Sequence, residues 1–78
     1  MARLLLFAGA RDAAGCRSID IDAATVGEVL DDAVARFGSH FAAILAHSKV
    51  WVDGEPAERT EPVTGSSEVA VLPPVSGG

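Results

Sequence analysis

Seventy-eight residues make one domain at the small end of what buries a workable core, with roughly 60% of the unfolded surface removed on folding. Six Lys and Arg against eleven Asp and Glu leave a net charge of −5, which argues against a nucleic-acid binder, whose phosphates are met by Lys and Arg, and points to basic protein partners. The single cysteine excludes an internal disulfide, and with no Cys-x-x-Cys the chain fits a reducing compartment.

Met1-Ala2-Arg3 followed by Leu4 to Ala10 imitates a secretory leader, with a basic start, an apolar stretch and an Ala-x-Ala end. It is shorter than a usual leader, and cleavage after Ala10 would remove the best strand of the domain. No stretch approaches the roughly 18 apolar residues of a membrane span, so the expectation is a soluble, cytoplasmic product. Arg3 to Ala8 is apolar without alternation, which predicts a central strand covered on both faces. Gly9 to Gly15 reads as a turn-rich connection, and Arg17 to Ile21 alternates as a half-buried partner strand, giving a hairpin.

Thr25-Val26-Gly27-Glu28 has capping-box spacing, in which each side chain satisfies the other's backbone N–H, so a helix is expected from Val26. Its apolar positions Val26, Val29, Leu30, Ala33, Val34 and Phe37 fall on one stripe, and Gly38 stops it. Glu28, Asp31 and Asp32 early and Arg36 late complement the helix dipole, with Asp32–Arg36 at i,i+4 spacing. Ser39 is read as the cap of a shorter helix carrying Phe41, Ile44 and Leu45. Val50-Trp51-Val52 predicts a strand that turns back at Asp53-Gly54 through Glu55, Pro56 and Ala57, where Pro56 confines the return to a short edge. Pro62 to Ser67 is another turn, and Glu68 to Leu72 is the last strand. The order predicts an α+β domain over 1–72, a mixed sheet on one main helix plus a short one, with the first and last strands parallel at its centre.

Residues 73–78 are expected to form an extended tail. Pro73-Pro74 fixes φ and removes two donors, Val75 and Ser76 follow, and Gly77-Gly78 lacks Cβ, so a narrow channel in another protein can close on its backbone. The pattern points to chemistry on a carboxylate at Gly78. Cys16 is read as structural, since only Arg17 is placed to lower its pKa. His40 and His47 lack metal-ligand spacing with Cys16, and no metal is expected. Trp51 is assigned to core or sheet surface, and Lys49 to a solvated strand end.

Leu4 to Ala8 with Arg11 and Gly15, the Thr25-Val26-Gly27 helix start, the Val52-Asp53-Gly54-Glu55 turn and above all Glu68 to Gly78 with its Pro-Pro-Val-Ser-Gly-Gly end resemble the small subunit of molybdopterin synthase. The resemblance covers essentially the whole chain; Asp53 stands where that family often has Asn, and the link from Ala57 to Glu61 is more polar than usual. It implies the β-grasp, ubiquitin-like fold. It also implies a sulfur carrier in molybdenum cofactor biosynthesis, a co-substrate more than a self-contained enzyme, with no cofactor bound by the chain itself. Gly78 would be adenylated by a ubiquitin-activating-like adenylyltransferase using ATP and converted to a thiocarboxylate by a persulfide sulfur donor. The tail, Pro73 to Gly77 leading Gly78, would then insert into the large synthase subunit of a heterotetramer, which carries the catalytic side chains. By the same resemblance Phe7, Pro56 and Leu72 would form an apolar contact face, an alternative to placing Phe7 and Leu72 in the core, and Arg11 would dock the activating enzyme, the other reading being a loop charge that only solubilises. Carriers of this fold serving thiamine thiazole or cysteine synthesis, and ubiquitin-like modifiers, share the Gly-Gly end. Pro-Pro-Val-Ser disfavours the former, and a tail without basic residues weighs against the latter. A plain interaction domain with an inert end is the remaining reading.

Overall fold

The computed structural model describes residues 1–74; the tail expectation at Val75, Ser76, Gly77 and Gly78 lies outside the described residues. Five strands, β1 (Ala2–Leu6), β2 (Ser18–Ile21), β3 (Lys49–Val52), β4 (Glu55–Pro56) and β5 (Glu68–Leu72), form one mixed sheet in the order β2-β1-β5-β3-β4. β1 and β5 are parallel neighbours at its centre, and the other pairings are antiparallel. Three helices, α1 (Ala8–Ala14), α2 (Val26–Phe37) and α3 (Ser39–Leu45), complete the β-grasp arrangement.

Leu4, Leu6, Val69 and Val71 of the central strands join Ala10 of α1, Val26, Val29, Leu30 and Ala33 of α2 and Phe41 of α3 in a single buried core. Burial alternates along β1 and β5, so this apolar sheet is covered on one face rather than two. The unbroken leucines misled here because Leu5 lies on the less buried face, while Arg3, two residues earlier, is exposed.

The segment expected to be a turn-rich connection is helix α1. Four of its seven residues are alanine, the best helix former, and Gly15 at φ 77° closes it with its N–H on the Arg11 carbonyl at 2.9 Å. The domain thus has two short helices beside the main one. Strand β1 stops at Leu6, and Phe7 is the N-cap of α1, its carbonyl accepting from the Ala10 and Arg11 N–H groups at 3.1 and 3.3 Å.

Helix α2 begins at Val26 and ends at Gly38, as its pattern requires. Thr25 Oγ1 accepts from Glu28 N–H at 3.2 Å, but Glu28 Oε1 reaches the Ala24 N–H at 3.1 Å instead of that of Thr25, a capping box displaced by one residue. The next two orphan donors are met by the link before β5: Val26 N–H donates to Glu61 O at 2.9 Å and Gly27 N–H to Arg59 O at 2.8 Å. A Cβ on Gly27 would stand 3.2 Å from that Arg59 oxygen, which explains a glycine inside the first turn. The polar link is therefore a lid on the helix start, with Arg59 pairing Asp31 at 2.7 Å. Farther along α2, a hydrogen bond to Asp32 at 2.9 Å, and then its charge, hold the exposed Arg36 guanidinium above its ordinary pKa.

Gly38, at φ 91°, supplies the N-cap of α3, so Ser39 is its first residue and not its side-chain cap. Strands β3 and β4 meet at Asp53-Gly54, with φ of 49° and 86°, the two left-handed conformations a type I′ hairpin needs. Asp53 also ties the hairpin to β5. Its N–H donates to Glu68 O and its Oδ1 accepts from Glu68 N–H, both at 2.9 Å.

Candidate functional site

The sheet face away from the core is defined by register. Ser18, Leu5, Ala70, Trp51 and Pro56 stand opposite one another across all five strands. Nearer one end, Asp20, Arg3 and Glu68 form a charged row, with Arg3 and Asp20 3.6 Å apart. Nearer the other, Leu72 faces Lys49, and Leu6 pairs with Val71 so that Phe7 ends level with Leu72. Leu5, Ala70, Trp51 and Pro56 thus make an apolar row, with a charged row toward one end of the sheet and Phe7, Leu72 and Lys49 toward the other.

Neither Phe7 nor Leu72 is core. Phe7 is 45% exposed, Leu72 is half-buried, and Pro56 is exposed at the edge strand. Arg11 lies one helical turn beyond Phe7, and the two line the same surface hollow with Arg17. Pro56 is not part of that group, because β5 and β3 stand between it and β1. Trp51, half-buried, fills the face between Pro56 and Ala70. Only strand pairing reveals this, since Trp51 sits in a short strand with apolar neighbours on both sides.

β5 is a central strand, so the chain leaves from the middle of one sheet end, beside Phe7, and enters Pro73-Pro74 directly. Pro73 and Pro74 line a second hollow of about 440 Å³ with Gly9, Ala43, Ile44, His40 and His47. The two exposed histidines therefore stand beside the root of the tail, a placement their spacing in the sequence does not disclose. Cys16 is half-buried and packs against the core, as a structural cysteine. Among the described residues no three His, Cys, Asp or Glu side chains are grouped to hold a metal ion, and no helix is long and apolar enough to cross a membrane.

Known proteins share this fold. The chain is 36% identical to small archaeal modifier protein 1 of Haloferax volcanii over 94% of its length and 95% of that protein's. The crystal structure of SAMP1 from Haloferax volcanii superposes with a TM-score of 0.87 at 32% identity, covering 99% of this chain and 98% of that one. The same fold, at 22% identity and a TM-score of 0.83, is found in a Pyrococcus furiosus chain named for molybdopterin converting factor subunit 1, covering 95% of this chain and 97% of that one. It recurs at the same identity and TM-score in a chain of the BexX/CysO complex of Amycolatopsis orientalis, with 100% of both covered. The defining pattern of the ThiS family matches residues 4–78, and with the β-grasp sheet and the central-strand exit in place, this chain belongs to the ThiS family of ubiquitin-like sulfur carriers.

Proposed function

We propose that the chain carries sulfur on the carboxylate of Gly78 and delivers it to the pterin precursor of the molybdenum cofactor. The observation that carries this reading is the exit of the chain from central strand β5 at Leu72, next to exposed Phe7, into Pro73-Pro74 and on toward Gly77-Gly78. An apolar face beside the tail root lets a partner grip the domain while a channel receives the last residues. Prolines keep that path extended, and glycines fit where a Cβ would not.

A carboxylate is a poor electrophile at neutral pH. In the proposed cycle, a carboxylate oxygen of Gly78 attacks the α-phosphorus of ATP in an activating enzyme and releases pyrophosphate, forming an acyl-adenylate. The terminal sulfur of a persulfide donor then attacks the carbonyl carbon and expels AMP. A second thiol reduces the resulting acyl disulfide, becoming oxidised to a disulfide and leaving the thiocarboxylate on Gly78. Insertion into the large synthase subunit presents that sulfur at fixed distance to the precursor, where positioning replaces a chance encounter. This chain contributes the sulfur and the docking face, and the large subunit contributes the catalytic side chains.

A second reading has its own support: a relative 36% identical is named a modifier protein, and a modifier also begins from an activated Gly78. Thiazole or cysteine synthesis are further destinations for the same thiocarboxylate. Incubation with a ubiquitin-activating-type adenylyltransferase, ATP and a persulfide donor, followed by intact mass, tests the first step. Replacement of one oxygen by sulfur is expected. Transfer to the pterin precursor in the presence of a large subunit tests the destination, whereas lysine-linked adducts to other proteins with no pterin product would favour the modifier.

A further inference from the structure

The chain is acidic overall, but the end of the sheet from which the tail departs is not. Three of the cations are neutralised in place: Arg3 by Asp20 at 3.6 Å, Arg36 by Asp32 at 2.9 Å and Arg59 by Asp31 at 2.7 Å. Arg11 has only the exposed Asp12 at 3.9 Å. Among the described residues, Arg17 and Lys49 have no carboxylate partner. These last three cations are exposed and gather at one place.

Strand register places them. Leu6 N–H donates to Arg17 O at 2.8 Å, Leu6 stands opposite Val71, and Leu72 stands opposite Lys49. Arg17 and Lys49 therefore flank the ends of β1 and β5 across four strands, a span of about 14 Å at ~4.8 Å per strand. Arg11 and Arg17 share a hollow of about 400 Å³ with Leu5, Leu6, Phe7 and Ser18. Exposed Phe7 and half-buried Leu72 sit inside this ring of charge. The acids of the sheet lie at its other end: Asp20 near the close of β2, Asp53 and Glu55 at the hairpin, and Glu68 at the start of β5.

We propose that Arg17 and Lys49 complete, with Arg11, whose docking role the family resemblance already implies, a cationic collar around the tail root, and that it docks on an acidic rim surrounding the channel of the activating enzyme that receives the tail. This rests on the reading that Gly78 is adenylated, and holds for a sulfur carrier and for a modifier alike, since both begin at that step. The argument is charge complementarity. An acidic rim attracts only this end of a chain whose net charge is −5 and repels the rest, so the carrier arrives tail first, and the apolar centre of the collar then closes on the partner. The expectation of basic partners drawn from net charge does not extend to this end of the molecule.

The test uses the full chain and purified adenylyltransferase from the same organism, reading ATP–pyrophosphate exchange at about 0.05 M and about 0.5 M NaCl, where screening lengths differ severalfold. The double reversal Arg17→Glu with Lys49→Glu is expected to lower kcat/KM for the carrier about tenfold or more at low salt while kcat changes less than about twofold, and the gap closes at high salt. The charge-conserving pair Arg17→Lys with Lys49→Arg should match the parent, and thermal unfolding of all three confirms that they are folded. Equal kcat/KM for parent and reversal at low salt overturns the collar. So does an equal loss in the conserving pair, which would mean that shape and not charge is read. Absence of exchange with the parent chain would instead remove the reading of Gly78, and the collar with it. Lys49 carries the only side-chain amine of this chain, so carbodiimide cross-linking of the complex should join it to an Asp or Glu of the enzyme. A cross-link map that leaves Lys49 unreacted while the complex forms also overturns the proposal.

Discussion

Two residues with the same backbone φ of 49°, Ala8 and Asp53, have opposite standing. Left-handed backbone costs a residue with a Cβ about 1–2 kcal/mol unless a short polar side chain compensates locally. Asp53 has that compensation, because its carboxylate accepts from Glu68 N–H at 2.9 Å while its own N–H reaches Glu68 O. Asp53→Ala should therefore lower stability by about 1–2 kcal/mol, a fall of roughly 4–16 °C in Tm for a domain of this size. Asp53→Asn, which keeps both an acceptor and a tolerance of this conformation, should stay within about 0.5 kcal/mol in a urea titration. Ala8 has nothing of the kind. It turns the corner from β1 into α1, directly after exposed Phe7, and Ala8→Gly should raise the midpoint of the same titration by up to about 1 kcal/mol in stability. A lower midpoint would show that the corner is not strained.

Among the elements, α2 is the best specified, because stripe, cap and stop all agree, and its observed limits are those the sequence supplies. What could not be read is how its first turn is completed. Thr25 and Glu28 cover two donors, but the carbonyls of Arg59 and Glu61 that accept from Gly27 and Val26 belong to a segment about thirty residues away in the chain, and only folding brings them there. Thr25→Ala should cost about 1 kcal/mol, and Thr25→Ser only a few tenths. Thermal unfolding decides, and an unchanged Tm in Thr25→Ala would mean that the lid alone holds the helix start. Helix α1 was illegible for the opposite reason. Gly9 and Gly15 advertise turns, and seven residues are too few for a clear 3.6-residue period, yet Ala10 is fully buried against β1 and β5. Tertiary packing added what seven residues of alanine propensity and a glycine cap could not announce alone.

Across the whole molecule, the described fold and the proposed chemistry meet at Leu72, the last residue of a central strand. The tail pattern can be read because prolines and glycines restrict or free the backbone locally, and the resemblance supplied Phe7, Pro56 and Leu72, whereas Leu5, Ala70 and Trp51 join Pro56 in one row only through register. This division of labour makes a sharp expectation for one alanine added after Gly78. If Gly78 bears the reactive carboxylate, the addition moves that group by up to about 3.6 Å and puts a Cβ where a channel shaped for glycine has no room. Adenylation should collapse, and with it sulfur transfer. Stability should stay within about 0.5 kcal/mol of the parent, since among the described residues every buried core residue precedes Leu72 and none loses a contact. Deleting Gly78 should give the same pattern from the other side, with the carboxylate falling short. The measurement is ATP-dependent acyl-adenylate formation, with chemically thiocarboxylated parent protein as the control for the later step. Full activity in the extended chain, with intact mass showing that the extra residue was retained, would remove Gly78 from the reaction and leave the docking face as the only functional element.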